Sequence, residues 1–77
     1  MKIEFDPNIR ISSKKYPETN TYVGYENVPG PISVGDTVFL VESESGLYGT
    51  GLVLGYSDKK EIFYIKAYWD TFTYGVI

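Results

Sequence analysis

The sequence predicts an all-β domain, a small antiparallel barrel of about five to six short strands with little or no helix. The main observation is that residues 34–69 hold three apolar runs rich in β-forming residues, separated by two polar turns. In addition, no window places apolar residues at helical spacing between capping residues. The aromatic content of 17% supplies buried area to a small core. We therefore expect one domain over residues 1–77, with residues 1–25 packed on a meander formed by residues 34–77.

The N-terminal part predicts short strands around a polar loop. Apolar and polar residues alternate through residues 2–11 apart from a break at Pro7, which indicates one bent strand or two short ones. Residues 12–20 are polar and predict an exposed loop. Residues 21–25 predict a short strand, and residues 27–31, which contain two prolines around a glycine, predict a stiff turn.

The meander begins more clearly. A Gly35-Asp36 turn precedes a predicted strand over residues 37–42, whose two faces are both apolar, so we expect both to be covered. A glycine-containing turn over residues 43–49 leads to a strand over residues 50–56, in which glycines predict bulges or bends. A hairpin turn is expected over residues 57–60.

The longest predicted strand covers residues 61–69. We assign one of its faces to the core: Phe63, Ile65, Ala67 and Trp69. The other face carries a lysine and hydroxylated rings: Ile62, Tyr64, Lys66 and Tyr68. Asp70 and Thr71 are predicted to turn the chain into a final short strand over residues 72–77.

Composition excludes several classes of chemistry. The chain has no histidine and no cysteine, which removes Ser-His-Asp and Cys-His catalysis and thiolate zinc sites. The net charge of −3 argues against nucleic-acid binding. No apolar run reaches the roughly 18 to 20 residues of a membrane span, and the N-terminus lacks an apolar signal region. We expect a cytoplasmic protein that is not an enzyme and has no cofactor, metal or membrane partner.

Two local patterns suggest sites but have simpler interpretations. The glycines of GTGLVLG do not match a dinucleotide-binding loop, because Leu54 stands where the third glycine belongs, so we interpret them as curvature devices. Glu42 and Glu44 lie on one side of an extended segment and could bind a hard cation. We interpret them as solvated turn acids.

The strongest candidate for a binding surface is aromatic. Rigid rings beside a cation on an open sheet favour recognition, because they give contact area at low entropic cost. The candidate residues are Tyr64, Lys66, Tyr68 and Trp69, with Tyr48 and Tyr56 as neighbours. The alternative is that residues 1–25 fold across this face and bury it. A separate basic and aromatic grouping, formed by Arg10, Lys14 and Lys15 near Tyr16 and Tyr22, would suit nucleic acid instead.

The meander resembles SH3-like small barrels, in which G-D-x-V starts one strand and G-x-G-x-V opens the next. The matching residues are Gly35-Asp36-Thr37-Val38 and Gly49-Thr50-Gly51-Leu52-Val53. The resemblance covers about half of the chain and implies architecture rather than activity.

We therefore expect a non-enzymatic interaction module that binds itself and another protein, through the aromatic face or by strand addition at residues 72–77. Type II dihydrofolate reductases, which are SH3-like barrels, imply an alternative: an oligomeric small-molecule-binding protein or enzyme with its site at a subunit boundary. Their Val-Gln-Ile-Tyr strand has no match, the nearest run being Phe63-Tyr64-Ile65-Lys66, so no catalytic residue is carried over.

Overall fold

Five strands form one sheet in the order β1-β3-β4-β5-β2, in a computed structural model that describes residues 1–75. The strands are β1 (Lys2–Glu4), β2 (Thr21–Gly24), β3 (Thr37–Glu42), β4 (Leu47–Ser57) and β5 (Ile62–Tyr74). The described helical content is a single 3-10 turn, Tyr25–Asn27, directly after β2. The prediction of a small all-β fold is confirmed.

The meander is present as predicted, with β4 and β5 longer than expected. β3 pairs antiparallel with β4, and β4 pairs antiparallel with β5. The turn between β4 and β5 covers residues 58–61 rather than 57–60, so Ser57 pairs with Ile62. This difference of one residue decides which side chains share a face, because neighbouring residues of a strand point to opposite sides.

One ladder is parallel, although an antiparallel sheet was predicted. β1 runs alongside β3, with Ile3 opposite Leu40, and the Phe5 N–H continues the ladder by donating to the Val41 carbonyl at 2.9 Å. β2 pairs antiparallel with the first part of β5. β1 and β2 thus form the two edges of the sheet, and closure into an SH3-like barrel stays a prediction.

The segment between β1 and β2 differs from its prediction. No second strand forms around Ile9 and Ile11, because the chain turns after Asp6 and Ile9 N–H bonds back to the Asp6 carbonyl. The loop over residues 12–20 is also not wholly exposed as predicted, since Thr19 is buried and Tyr16 is half-buried.

Asn20 anchors this segment to β5 by using its side chain as a strand residue uses its backbone. The Asn20 Nδ2 group donates to the Ala67 carbonyl at 3.0 Å, and the Asn20 Oδ1 atom accepts from the Ala67 N–H at 2.7 Å. The Asn20 N–H also donates to the Ile65 carbonyl at 3.1 Å. These bonds extend the β2–β5 contact beyond the last regular pair.

The predicted turn at Asp70 and Thr71 is wrong, because β5 continues through Tyr74 with a bulge. Thr50 pairs with Tyr68 and Tyr48 with Thr73, so Gly49 faces the four residues 69–72. The Thr71 hydroxyl accepts from the Thr50 N–H at 3.0 Å and donates to the Tyr68 carbonyl at 2.6 Å, replacing ladder bonds. Residues 72–74 of the predicted final strand are therefore part of β5, which ends before Gly75, and the last two residues of that prediction lie outside the described range.

The core lies on one side of the sheet and draws on every strand. Its buried members are Ile3, Phe5, Val23, Val38, Leu40, Val53, Ile65 and Ala67. Phe63, Trp69 and Phe72 pack against them, which confirms the face of β5 that was assigned to the core. The expectation that both faces of β3 are covered holds only in part, since on the opposite face Val41 is buried whereas Phe39 exposes 53% of its surface.

A candidate aromatic binding cleft

An extra residue in β4 sets the direction of the side chains near the β4–β5 turn. Val53 pairs with Ile65, but Gly55 rather than Leu54 pairs with Tyr64, so Leu54 forms a bulge. The shift places Tyr56 opposite Phe63 and therefore on the core side of the sheet. The prediction that glycines of this strand accompany bulges is confirmed at Gly55, whereas Gly51 pairs regularly with Ala67. A second register shift lies at Gly49, which was assigned to the preceding turn.

Three aromatic rings meet at this end of the core side. The Phe63 ring lies 4.8 Å from the Tyr25 ring and 6.3 Å from the Tyr56 ring, measured between centroids. Both pairs are tilted, at 46° and 57°, an arrangement that aromatic pairs favour over face-to-face stacking. Tyr56 exposes 50% of its surface, whereas Tyr25 and Phe63 are half-buried.

The 3-10 turn holds Tyr25 in this group. The Tyr25 N–H donates to the Glu61 carbonyl at 2.8 Å, and the Tyr25 carbonyl accepts from the Val28 N–H at 3.1 Å. Glu61 itself adopts a positive φ of 56°, which is uncommon for a residue other than glycine. The β4–β5 turn and the 3-10 turn are thereby joined through their backbones.

A carboxylate lies beside the rings. The Tyr25 hydroxyl donates to Asp58 Oδ1 at 2.7 Å. Partial burial, followed by this hydrogen bond and the negative charge of Asp58, raises the pKa of Tyr25 from 10.0 to about 12. Tyr25 is therefore a neutral hydrogen-bond donor at neutral pH, and Asp58 presents a fixed negative charge.

The rings and the carboxylate line a cleft of about 460 Å³, named here the hairpin cleft. Its lining residues are Tyr25, Ile32, Ser33, Val34, Tyr56, Asp58 and Phe63. A volume of this size falls within the range of roughly 300 to 1,000 Å³ that is usual for small-molecule sites. Of the described residues that line it, Asp58 alone carries a charge at pH 7.

The predicted aromatic face lies on the other side of the sheet and is partly covered. Tyr64, Lys66 and Tyr68 share this side, and the Lys66 Nζ atom lies 5.9 Å from the Tyr68 ring centroid. Tyr16 packs on Tyr64 with ring centroids 5.2 Å apart, and Glu18 pairs with Lys66 at 3.0 Å. The polar segment thus covers the Tyr64 end of this face.

Gly55 provides the space for that contact. A Cβ atom at Gly55 would overlap the Tyr16 ring. Glycine at this position therefore lets the Tyr16 ring approach the backbone of the sheet beside Tyr64.

The remaining predicted residues do not join this face as one group. Trp69 lies on the core side with Phe5 and Phe72, and the Arg10 guanidinium carbon lies 4.0 Å above its ring. Tyr48 pairs with Val41 and Thr73 at the far end of β4, and Tyr56 belongs to the hairpin cleft.

The basic grouping predicted for nucleic acid is divided in the same way. Arg10 is engaged by Trp69, and the Lys15 Nζ atom lies 5.6 Å from the Tyr16 ring centroid. Lys14 instead lines a second cleft of about 550 Å³ with Tyr22, Lys60 and Tyr64. Lys14 and Lys60 thus give this second cleft positive charge, whereas the charged residue that lines the hairpin cleft is Asp58.

The described residues carry no group of acids that could hold a metal ion. Glu42 is one of the turn acids, and its Oε1 atom accepts from the Ser45 hydroxyl at 2.6 Å. Residues 1–75 also contain no helix with the length and apolar character needed to cross a membrane.

Comparison with known proteins gives no assignment. No family model matches the chain, and neither a curated protein nor a solved structure matches it significantly.

The sequence interpretation missed Tyr25, Asp58 and Phe63 as site residues. The sequence patterns place Tyr25 in a strand, Asp58 in a hairpin turn and Phe63 in the core. Phe63 has a sequence signal, because a four-residue turn over residues 58–61 places it directly opposite Tyr56 in the hairpin. Tyr25 has no such signal, since it reaches the cleft through a backbone bond to Glu61, which is distant in sequence.

Proposed function

We propose that the protein is a small, non-enzymatic binding module and that the hairpin cleft is its binding site. The observation that carries this proposal is the half-exposed Tyr56 ring, which forms the open edge of a cleft lined by two further rings. The exposed side of the Tyr56 ring offers apolar area to a ligand, and the contact with Phe63 on its other side holds the ring in position before a ligand binds.

The cost of ordering this site on binding is small. Tyr25 is fixed by hydrogen bonds at its backbone and its hydroxyl, and Phe63 packs on the core. Rings held in place before binding lose little conformational entropy when a ligand arrives. The opposite face offers less, since Tyr16 and Glu18 already contact Tyr64 and Lys66.

A screen of small molecules and short peptides by amide chemical-shift mapping tests the proposal. We expect the ligands that bind to shift the amide signals of Tyr25, Tyr56 and Phe63, and Tyr56→Ala to abolish these shifts. Tyr74→Ala is the matched control, because Tyr74 is an exposed tyrosine, 70% accessible, at the distant end of β5. Ligand shifts that map only to other surfaces would contradict the hairpin cleft as the binding site.

Self-association through the opposite face is a second candidate, favoured by one observation. Phe39 is 53% exposed and lies beside Thr50 in the β3–β4 pairing, while Thr50 in turn lies beside Tyr68. A second copy of the chain that covered Phe39 and Tyr68 would remove this apolar surface from water. The site at a subunit boundary and the nucleic-acid alternative stay predictions.

A further inference from the structure

The hairpin cleft has the surface chemistry of a site for cations. The face of an aromatic ring carries partial negative charge and attracts a cation within about 6 Å of its centroid. Tyr25, Tyr56 and Phe63 bring three such rings to one cleft. The Asp58 carboxylate adds a full negative charge at the same place.

The contact between Asp58 and Tyr25 strengthens this character. The Tyr25 hydroxyl donates to Asp58 at 2.7 Å, which moves electron density toward the Tyr25 ring and fixes the carboxylate near it. The raised pKa of Tyr25 is consistent with negative potential from both Asp58 and Glu61. Lys59 and Lys60 belong to the same turn, but neither lines the cleft.

The rest of the lining selects among cations. A metal ion requires several oxygen ligands, and the described lining side chains offer one carboxylate and the neutral hydroxyls of Ser33, Tyr25 and Tyr56. A bare ammonium group is strongly hydrated and loses that hydration in apolar surroundings. Ile32 and Val34 provide apolar surface, and Val34 is 58% exposed without a ligand. The methyl groups of an alkylated ammonium ion would contact this apolar surface, and its positive charge, which is distributed over those methyl groups, would face the aromatic rings.

We propose that the hairpin cleft binds an alkylated ammonium group, carried by a small molecule or by a methylated lysine side chain of a partner. The proposal rests on the proposed function, because it specifies the ligand of the same cleft.

Titrations of the whole chain, followed by amide chemical shifts, test it with four probes. Choline is compared with 3,3-dimethylbutan-1-ol, its neutral isostere, and a peptide containing trimethyllysine is compared with the unmodified peptide. We expect each alkylated cation to bind at the Tyr25, Tyr56 and Phe63 signals, roughly two- to thirty-fold more tightly than its partner probe. Tighter binding of the peptide would indicate a partner's side chain, and tighter binding of choline a free ligand.

Variants distinguish a cation site from an apolar one. Tyr56→Leu keeps apolar bulk and Asp58→Asn keeps a hydrogen-bond acceptor for Tyr25, so both should fold and both should weaken choline binding severalfold. Tyr56→Phe keeps the ring and should therefore bind choline more tightly than Tyr56→Leu does. Tyr74→Leu, at the distant end of β5, should have no effect.

The two levels of the proposal fail differently. Equal affinity for choline and its neutral isostere in the cleft would overturn the cation preference and leave the binding module standing. Absence of choline and trimethyllysine binding would overturn the inference, and absence of any ligand in the wider screen would overturn the proposed function as well.

Discussion

At the scale of single residues, Tyr25 joins stability to site chemistry. Its pKa rises to about 12 in the folded chain, against 10.0 for an ordinary tyrosine. Between these values the unfolded chain releases this proton and the folded chain keeps it, so the free energy of unfolding falls as the pH rises. The stabilisation is complete below pH 10 and is lost as the pH approaches 12.

We therefore expect Tyr25→Phe to remove the last step of the tyrosinate absorbance titration and to reduce the loss of stability above pH 10. The control Tyr74→Phe, at an exposed tyrosine, should keep the Tyr25 step. A titration of Tyr25→Phe that retains this last step would assign it to another tyrosine.

The aromatic residues also show what sequence reasoning at this scale can reach. Alternation along β5 correctly placed Ile65 and Ala67 in the core, because a strand exposes successive side chains to opposite sides. The position of Tyr56 was not accessible in this way. It depends on the Leu54 bulge and on the turn position, and a slip of one residue in either places the ring on the other face.

At the scale of elements, the segment joining β1 and β2 is held by side-chain chemistry that a polar composition does not reveal. Asn20 makes two hydrogen bonds to the backbone of Ala67, one through each atom of its amide. An amide is the side chain that can donate and accept at once in this geometry. The polar composition of residues 12–20 predicted solvent exposure. In the structure, the Asn20 amide instead makes hydrogen bonds that a neighbouring strand's backbone would otherwise make.

We expect Asn20→Ala to lower the free energy of unfolding by about 1–3 kcal/mol, because the partly buried backbone groups of Ala67 lose both partners. Urea unfolding measures this loss. The matched control is Asn8→Ala, at an exposed asparagine in the turn after β1, with an expected change below about 0.5 kcal/mol. Equal losses in the two variants would mean that Asn20 does not anchor the segment.

The meander itself was predictable because its signals are local. Polar turns, glycines and alternating apolar residues lie next to the strands they delimit, and β3 begins and ends where expected. The parallel pairing of β1 with β3 has no comparable signal, since its partners are separated by the whole of β2 and its flanking segments. Long-range pairing depends on how the faces pack together, which a single sequence does not state.

At the scale of the whole molecule, the two sides of the sheet differ in what remains exposed. The core side carries the hairpin cleft beside the packed core, and the other side is covered by Tyr16 and Glu18 near Tyr64 but open at Phe39. A second copy of the chain that covered this open part would remove the Phe39 ring from water. Dimer formation should then rise with protein concentration and should require the Phe39 side chain.

We expect sedimentation equilibrium to show a dimer of the unaltered chain at high concentration and a monomer for Phe39→Glu, because a charge at the centre of an apolar contact loses hydration. Tyr74→Glu serves as the control at another exposed ring and should not change the dimer. If the unaltered chain stayed monomeric at every concentration, the prediction of self-association would be wrong.

The strand order also has a consequence for the time course of folding. β3, β4 and β5 are joined by short turns and can pair soon after each is available, whereas β1 waits for β3 and β2 waits for β5. Pairing between strands that are distant in sequence is slow compared with pairing between strands joined by a short turn. A three-stranded intermediate would present the free edges of β3 and β5 to other chains until the N-terminal strands dock. β1 and β2 are thus synthesised first but paired last. Their docking covers the free edges of β3 and β5 and so ends the time in which these edges can pair with another chain.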